Sequence, residues 1–326
     1  MKRFWSAFIV SSILFFIAIY LGSYSYLKFN TPLVYPNISG GYHQKEKIKK
    51  NKKLDIVKEE FTSLEEAIEK SNRVNFMVLG MEDIRTDTII FVSVDLDNKK
   101  VDGISIPRDT YIHRKGFDSA EQRKINAVYG DHGIEGVKKA LTYILEGVPI
   151  HHYIMVDYEG VEKMVDAIGG VEVMVPFTMK YKDPTADPPL DIYIEEGRQI
   201  LDGKKALDFL RYRKGNNKRE GYIDGDLGRI RVQQQFIQSF VKKALTYRLP
   251  IIAKKGLEYT KTDIKITEAL SYATKFAGMK VENFKLVTLP GVAEFKPFDG
   301  KLLSYFIYDP FETRKLLEEI YNVKNP

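Results

Sequence analysis

Three apolar runs, 74–79 (VNFMVL), 88–94 (TIIFVSV) and 101–106 (VDGISI), follow one another through short polar connections. A helical crossover between parallel strands needs roughly a dozen residues or more, and none fits here. The segment DLDNKK between the second and third runs suits an antiparallel hairpin. Further strands are predicted at 152–156, 171–175, 191–194, 284–289 and 304–308. Helical periodicity is found over 134–146, 158–168, 202–212, 226–247, 266–277 and 311–322. Tightly joined early strands followed by interspersed helices predict an α/β fold: a layered α-β-α domain around a central mixed β-sheet.

With 326 residues and 44% apolar composition, the chain can build one sizeable core. Cysteine is absent, which excludes disulfides, thiolate metal sites and cysteine nucleophiles. The net charge of +6 admits an anionic partner.

Residues 4–27 carry no charge. A run of that length, at about 1.5 Å per helical residue, spans a hydrocarbon core of about 30 Å. It has no Ala-x-Ala-like exit, so an uncleaved transmembrane signal anchor is expected over 1–29. Lys2 and Arg3 place the N-terminus inside, and the remainder is expected outside a cell membrane crossed once. Residues 30–72 read as a tether with a short helix opened by the capping box SLEE, Ser63 as cap and Glu66 reaching back. The folded domain is expected over 73–326.

The hairpin locates a site. If 94 lies near 101, then 87 lies near 108, which sets Arg85 and Asp87 beside Arg108 and Asp109. Strand 74–79 ends at the same edge, in a loop holding Glu82 and Asp83. Ordinary surface ion pairs would look the same from this hairpin alone. The helix from 226 adds weight, because Asp226, Arg229 and Gln233 share the face of Ile230, Ile237, Phe240, Val241 and Ala244. Buried charge is costly unless it is paired or meets a ligand. Upstream, Arg211 and Arg213 flank Tyr212 and would face one side if extended. Guanidinium forks suit bidentate phosphate recognition. His151 and His152 are adjacent, so a strand would send them to opposite faces, and both are read as core or surface groups.

Seven segments, NFMVLGMEDIRTDTIIFVSVD, ISIPRDTYI, KINAVYG, VDAIGGVEVMVP, LDGKKALDFLRYR, DLGRIRVQQQF and SYFIYDPFETRKLLEEI, resemble the LytR-CpsA-Psr family in order and spacing. The resemblance runs from about residue 73 to 322. It implies a phosphotransferase that moves a glycopolymer from a polyprenyl-pyrophosphate carrier to peptidoglycan, leaving a phosphodiester. By position, Arg85, Arg108, Arg211, Arg213 and Arg229 would surround the pyrophosphate. Asp87, with Asp83 or Glu82 from the preceding loop, would hold Mg²⁺. Asp109, Asp226 and Gln233 would orient arginines or contact phosphates, and Asp109 is the first choice of general base. The chain departs from the family pattern Gly-x-Asp, reading Gly80-Met81-Glu82-Asp83, and Gly215 stands where some members carry another arginine.

A membrane-bound transcriptional attenuator is the rival from another class. No helix-turn-helix or finger pattern supports it, and no nucleic-acid partner is expected. A polyprenyl-pyrophosphate hydrolase and a protein that only binds the polymer are nearer alternatives.

Overall fold

The hairpin register is the predicted one: Val94 pairs with Val101. The computed structural model describes residues 61–186, 189–217, 221–223, 226–244, 256–276, 279–298 and 301–324. Strands β1 (Arg73–Glu82), β2 (Arg85–Asp95) and β3 (Lys100–Ile106) form an antiparallel meander. Two later strands extend it in parallel, β4 (His152–Val156) beside β1 and β10 (Phe284–Thr288) beside β3. With the short β9 (Thr260–Thr262) against β4, the order is β10-β3-β2-β1-β4-β9, a mixed sheet of six strands.

Both faces of this sheet are covered, which is why its strands read as near-continuous apolar runs. Met77, Leu79, Phe91 and Ile104 face one side. There they pack on α1 (Leu64–Lys70), α2 (Val128–Ile144) and α7 (Pro310–Ile320), through Leu64, Leu141 and Leu317 among others. Phe76, Val94 and Val101 face the other side, against Met279 and against Tyr272 on α6 (Ile266–Phe276), Met279 following the helix. The sheet is therefore sandwiched between helical layers.

The strands at 171–175 and 191–194 do not join the central sheet. They form β5 (Val171–Val175) and β7 (Leu190–Ile194), each paired in a separate two-stranded ribbon, with β8 (Gly197–Leu201) and β6 (Met179–Asp183) respectively. These ribbons and α3 (Tyr158–Ala167), α4 (Gly203–Arg211) and α5 (Asp226–Ala244) enclose a core of their own around Val173, Ile192, Phe209 and Phe236. A last ribbon, β11 (Gly291–Phe298) with β12 (Lys301–Tyr308), contains the strand expected at 304–308. The partner strands β6, β8, β9 and β11 were not anticipated. Sequences such as MKYKD and TKT have too few apolar residues to stand out, because two-stranded ribbons leave much of their surface in water.

α2 begins at Val128, ahead of the expected 134, but its helical path is broken at Gly133. Ser63 caps α1 as expected, accepting from the Glu66 N–H over 3.1 Å, while the Glu66 carboxylate reaches one residue further back than a capping box, to the Thr62 N–H at 2.9 Å. The expected anchor and most of the tether lie outside the described residues. Among the described residues no helix is long and apolar enough to cross a membrane.

Candidate functional site

Three strand ends meet at one edge of the sheet, and a β-bulge there aims the central carboxylate. Gly80 pairs with Thr88 and Met81 with Thr86, which leaves Asp87 as the extra residue on β2. A bulge of this kind redirects a side chain relative to its neighbours. It separates Asp87 from Arg85, two residues away, which regular pleating would put on the same face. Gly80 is required for this approach, since a Cβ there would lie 2.9 Å from Thr88 Cβ.

Asp87 accepts a hydrogen bond from Arg108 at 2.9 Å, the contact anticipated from the hairpin register. Its carboxyl also faces that of Glu82 at the end of β1, close enough for the two to share a proton. Burial pushes the Asp87 carboxyl up, but the Glu82 hydrogen bond and the Arg108 and Arg229 charges outweigh it and hold the group below the usual range. Glu82 moves the opposite way. The hydrogen bond to Asp87 and then burial raise it, against a hydrogen bond from Tyr158 and the charge of Arg211.

Arg211 is the last residue of α4, with its Nη2 4.0 Å from Glu82 Oε1. Arg229 is 6% exposed, on the buried face of α5. Burying that charge is tolerable because it faces Asp87. The buried stripe of α5 runs through Arg229, Val232, Phe236 and Ala244. Of the expected face, Ile230 and Ala244 are buried and Ile237 and Phe240 pack on the same core, while Val232 and Phe236 widen it. Gln233 reaches the same side, its Nε2 donating to Leu210 O at 3.4 Å. Gln234 ties α5 to the end of β10 through Thr288 Oγ1 at 2.9 Å. Asp226 opens α5, and its side chain lies outside the described residues.

A second group of charges lies alongside. Lys124 Nζ is 3.1 Å from Asp109 and 3.5 Å from Glu121, and Arg85 is 3.8 Å from Glu121. Arg85 is thus exposed and linked to Asp109 through Glu121 and Lys124. Asp83 sits at the exposed tip of the β1–β2 turn with φ 54°, whereas Glu82 faces Asp87. Of the two acidic residues in that loop, Glu82 is the one positioned to share a cation with Asp87. Arg213 is exposed beside Tyr181 on β6. α4 ends at Arg211 and the buried Tyr212 turns the chain, so the two arginines diverge.

Sequence reading missed Glu121, Lys124 and Tyr158. Lys124 was available within the KINAVYG segment, but a lone lysine carries no signal of its own. His151 serves the fold: its Nδ1 accepts from the Asn75 N–H at 2.9 Å. Among the described residues no cluster of three or more His, Asp or Glu side chains is placed to hold a metal. The Glu82–Asp87 pair still fits Mg²⁺, an oxygen-seeking ion that commonly takes one or two carboxylates and completes its shell with phosphate and water.

The LytR_cpsA_psr family pattern matches residues 34–321. The chain belongs to that family. Members similar to it include the polyisoprenyl-teichoic acid–peptidoglycan teichoic acid transferase TagV of Bacillus subtilis (strain 168), 29% identical over 233 residues. That match covers 68% of this chain and 58% of TagV, so the chain spans less than two thirds of that relative's length. TagU of Oceanobacillus iheyensis, named for the same transfer, is 29% identical over 267 residues, covering 77% of this chain and 76% of TagU. The crystal structure of Bacillus subtilis TagV superposes with a TM-score of 0.63 at 27% identity, over 78% of this chain and 100% of that one. The mixed α/β architecture is therefore that of the family.

Proposed function

We propose that this protein is a phosphotransferase that moves an anionic cell-wall glycopolymer from a polyprenyl-pyrophosphate carrier to a peptidoglycan sugar hydroxyl. The observation that supports this best is the gathering of Arg108, Arg211 and Arg229 around the Glu82–Asp87 pair. Guanidinium groups outnumber carboxylates there, as a diphosphate requires, and their planar forks match phosphate oxygens. The relatives named for teichoic acid transfer to peptidoglycan suggest the same donor and acceptor classes.

In the reaction, a sugar hydroxyl oxygen attacks the phosphorus bearing the polymer. The bond from that phosphorus to the bridging oxygen breaks, and polyprenyl phosphate leaves with the electron pair. Arg108, Arg211 and Arg229 bind and orient the phosphates, and Arg85 and Gln233 contribute from the rim. Asp109, steadied by Lys124, accepts the hydroxyl proton. Catalysis of this type rests on positioning and charge stabilisation. Mg²⁺ held by Asp87 and Glu82 would supply further neutralisation of the diphosphate. Residues 4–27 would anchor the enzyme in the cell membrane with its site outside, where the lipid carrier and peptidoglycan meet.

An in vitro transfer assay tests this with Arg108→Ala, Arg211→Ala and Asp87→Ala. Each is expected to lose on the order of 10²-fold or more in turnover. Near-wild-type turnover in all three folded variants would remove the proposed site. Undiminished transfer after thorough chelation would remove the metal, and polymer ending on water would make the protein a hydrolase.

A further inference from the structure

Tyr158 touches both halves of the site. Its ring lies beneath Arg211, with the guanidinium carbon 4.3 Å from the ring centroid, and its hydroxyl faces the Glu82 carboxylate. Two features of the fold bring it there. β1 and β4 pair in parallel with Gly80 opposite Val156, so Glu82 and Tyr158 each lie two residues beyond the last pair. Gly203 then lets α4 close on α3, since a Cβ at that position would lie 2.8 Å from the Glu162 Cα and carbonyl carbon and nearer still to its carbonyl oxygen. The last residue of α4, Arg211, is thereby set over the first residue of α3, Tyr158.

The two contacts do different things. Stacking occupies the face of a guanidinium and leaves its in-plane N–H donors available to phosphate oxygens. The hydroxyl is placed to orient Glu82, as an outer partner orients a metal-binding carboxylate. Arg211 and Glu82 are 4.0 Å apart, close enough to collapse into a plain ion pair that would withdraw both from ligands.

We infer that Tyr158 is a positioning residue for the proposed transfer, aiming Glu82 through its hydroxyl and Arg211 through its ring. This rests on the function proposed above.

The two contacts can be separated in the full-length protein. Tyr158→Phe keeps the ring and loses the hydroxyl, while Tyr158→Leu loses both. Mn²⁺ affinity is read by electron paramagnetic resonance, and affinity for inorganic pyrophosphate at saturating Mn²⁺ by calorimetry. Tyr158→Phe is expected to weaken Mn²⁺ on the order of tenfold while leaving pyrophosphate affinity and the unfolding midpoint unchanged. Tyr158→Leu is expected to weaken both ligands. If wild type binds both ligands and Tyr158→Phe binds Mn²⁺ equally well, or Tyr158→Leu binds pyrophosphate equally well, the positioning role is wrong and the proposed function stands. If wild type binds neither, the proposed function falls and the role of Tyr158 falls with it.

Discussion

The Glu82 and Asp87 carboxyl groups face each other across a β-bulge, and Arg108 lies 2.9 Å from Asp87. Two carboxylates this close repel when both are charged, so the pair holds a proton more tightly than an isolated glutamate does. The rise falls on Glu82, and the arginines keep Asp87 ionised. A cation bound there, as proposed above, would replace that proton. At a pH within the raised Glu82 titration, adding Mg²⁺ to weakly buffered protein should release protons, and Mg²⁺ affinity should fall as pH drops through that range. A pH-stat measurement checks this, with Glu82→Gln as the variant that releases none. Release unchanged in Glu82→Gln would place the proton elsewhere.

Gly80→Ala should damage the site through the fold. The added Cβ would meet Thr88 Cβ at 2.9 Å and Oγ1 at 3.3 Å. Overpacking of this kind costs about 1–3 kcal/mol, read by chemical denaturation. Thr88→Ala should not rescue it, because the nearest atom is the Thr88 Cβ itself, whereas Thr88→Gly should. Full rescue by Thr88→Ala would show that the hydroxyl, and not the backbone approach, sets the bulge.

Arg73 offers a contrast remote from the chemistry. Its side chain is 3% exposed and bridges Asp102 at 3.2 Å and Asp95 at 3.6 Å, beneath Tyr321. Asp102→Ala leaves the buried guanidinium with Asp95 as its remaining carboxylate and also breaks the Lys100 contact. It should destabilise the protein by about 1–3 kcal/mol. Transfer activity per folded molecule should not change. An equilibrium unfolding curve that coincides with wild type would mean that water reaches this network.

Alkaline stability should depend on Tyr308. Burial, and then neighbouring Tyr143, push its hydroxyl from 10.0 up to about 12. The unfolded chain therefore loses the proton first. The contribution of this group is fully present below pH 10 and is lost as pH rises from 10 to about 12. Thermal melts across that window should show a shallower decline in Tyr308→Phe than in wild type, and equal slopes would assign the decline to other groups.

Some of the site was readable because its geometry is local. The spacing of two apolar runs fixes a hairpin, and the hairpin places Asp87 against Arg108 whatever the rest of the chain does. Arg229 at an apolar helix position was likewise visible, since helical periodicity assigns a face before any partner is known. Arg213 was harder, because whether it follows Arg211 depends on the residue at which α4 stops.

Periodicity along the chain determined the secondary structure of the main elements, the mixed character of the sheet and one edge of charged residues. It could do so because strand pleat and helix pitch are properties of neighbouring residues. Tertiary structure alone decided that Glu82 and not Asp83 faces Asp87, that Lys124 holds Asp109, and that Tyr158 lies between Glu82 and Arg211. Those contacts depend on a bulge, on a parallel pairing between β1 and the distant β4, and on how closely two helices approach. Each is set by packing between segments far apart in sequence, which no local pattern encodes.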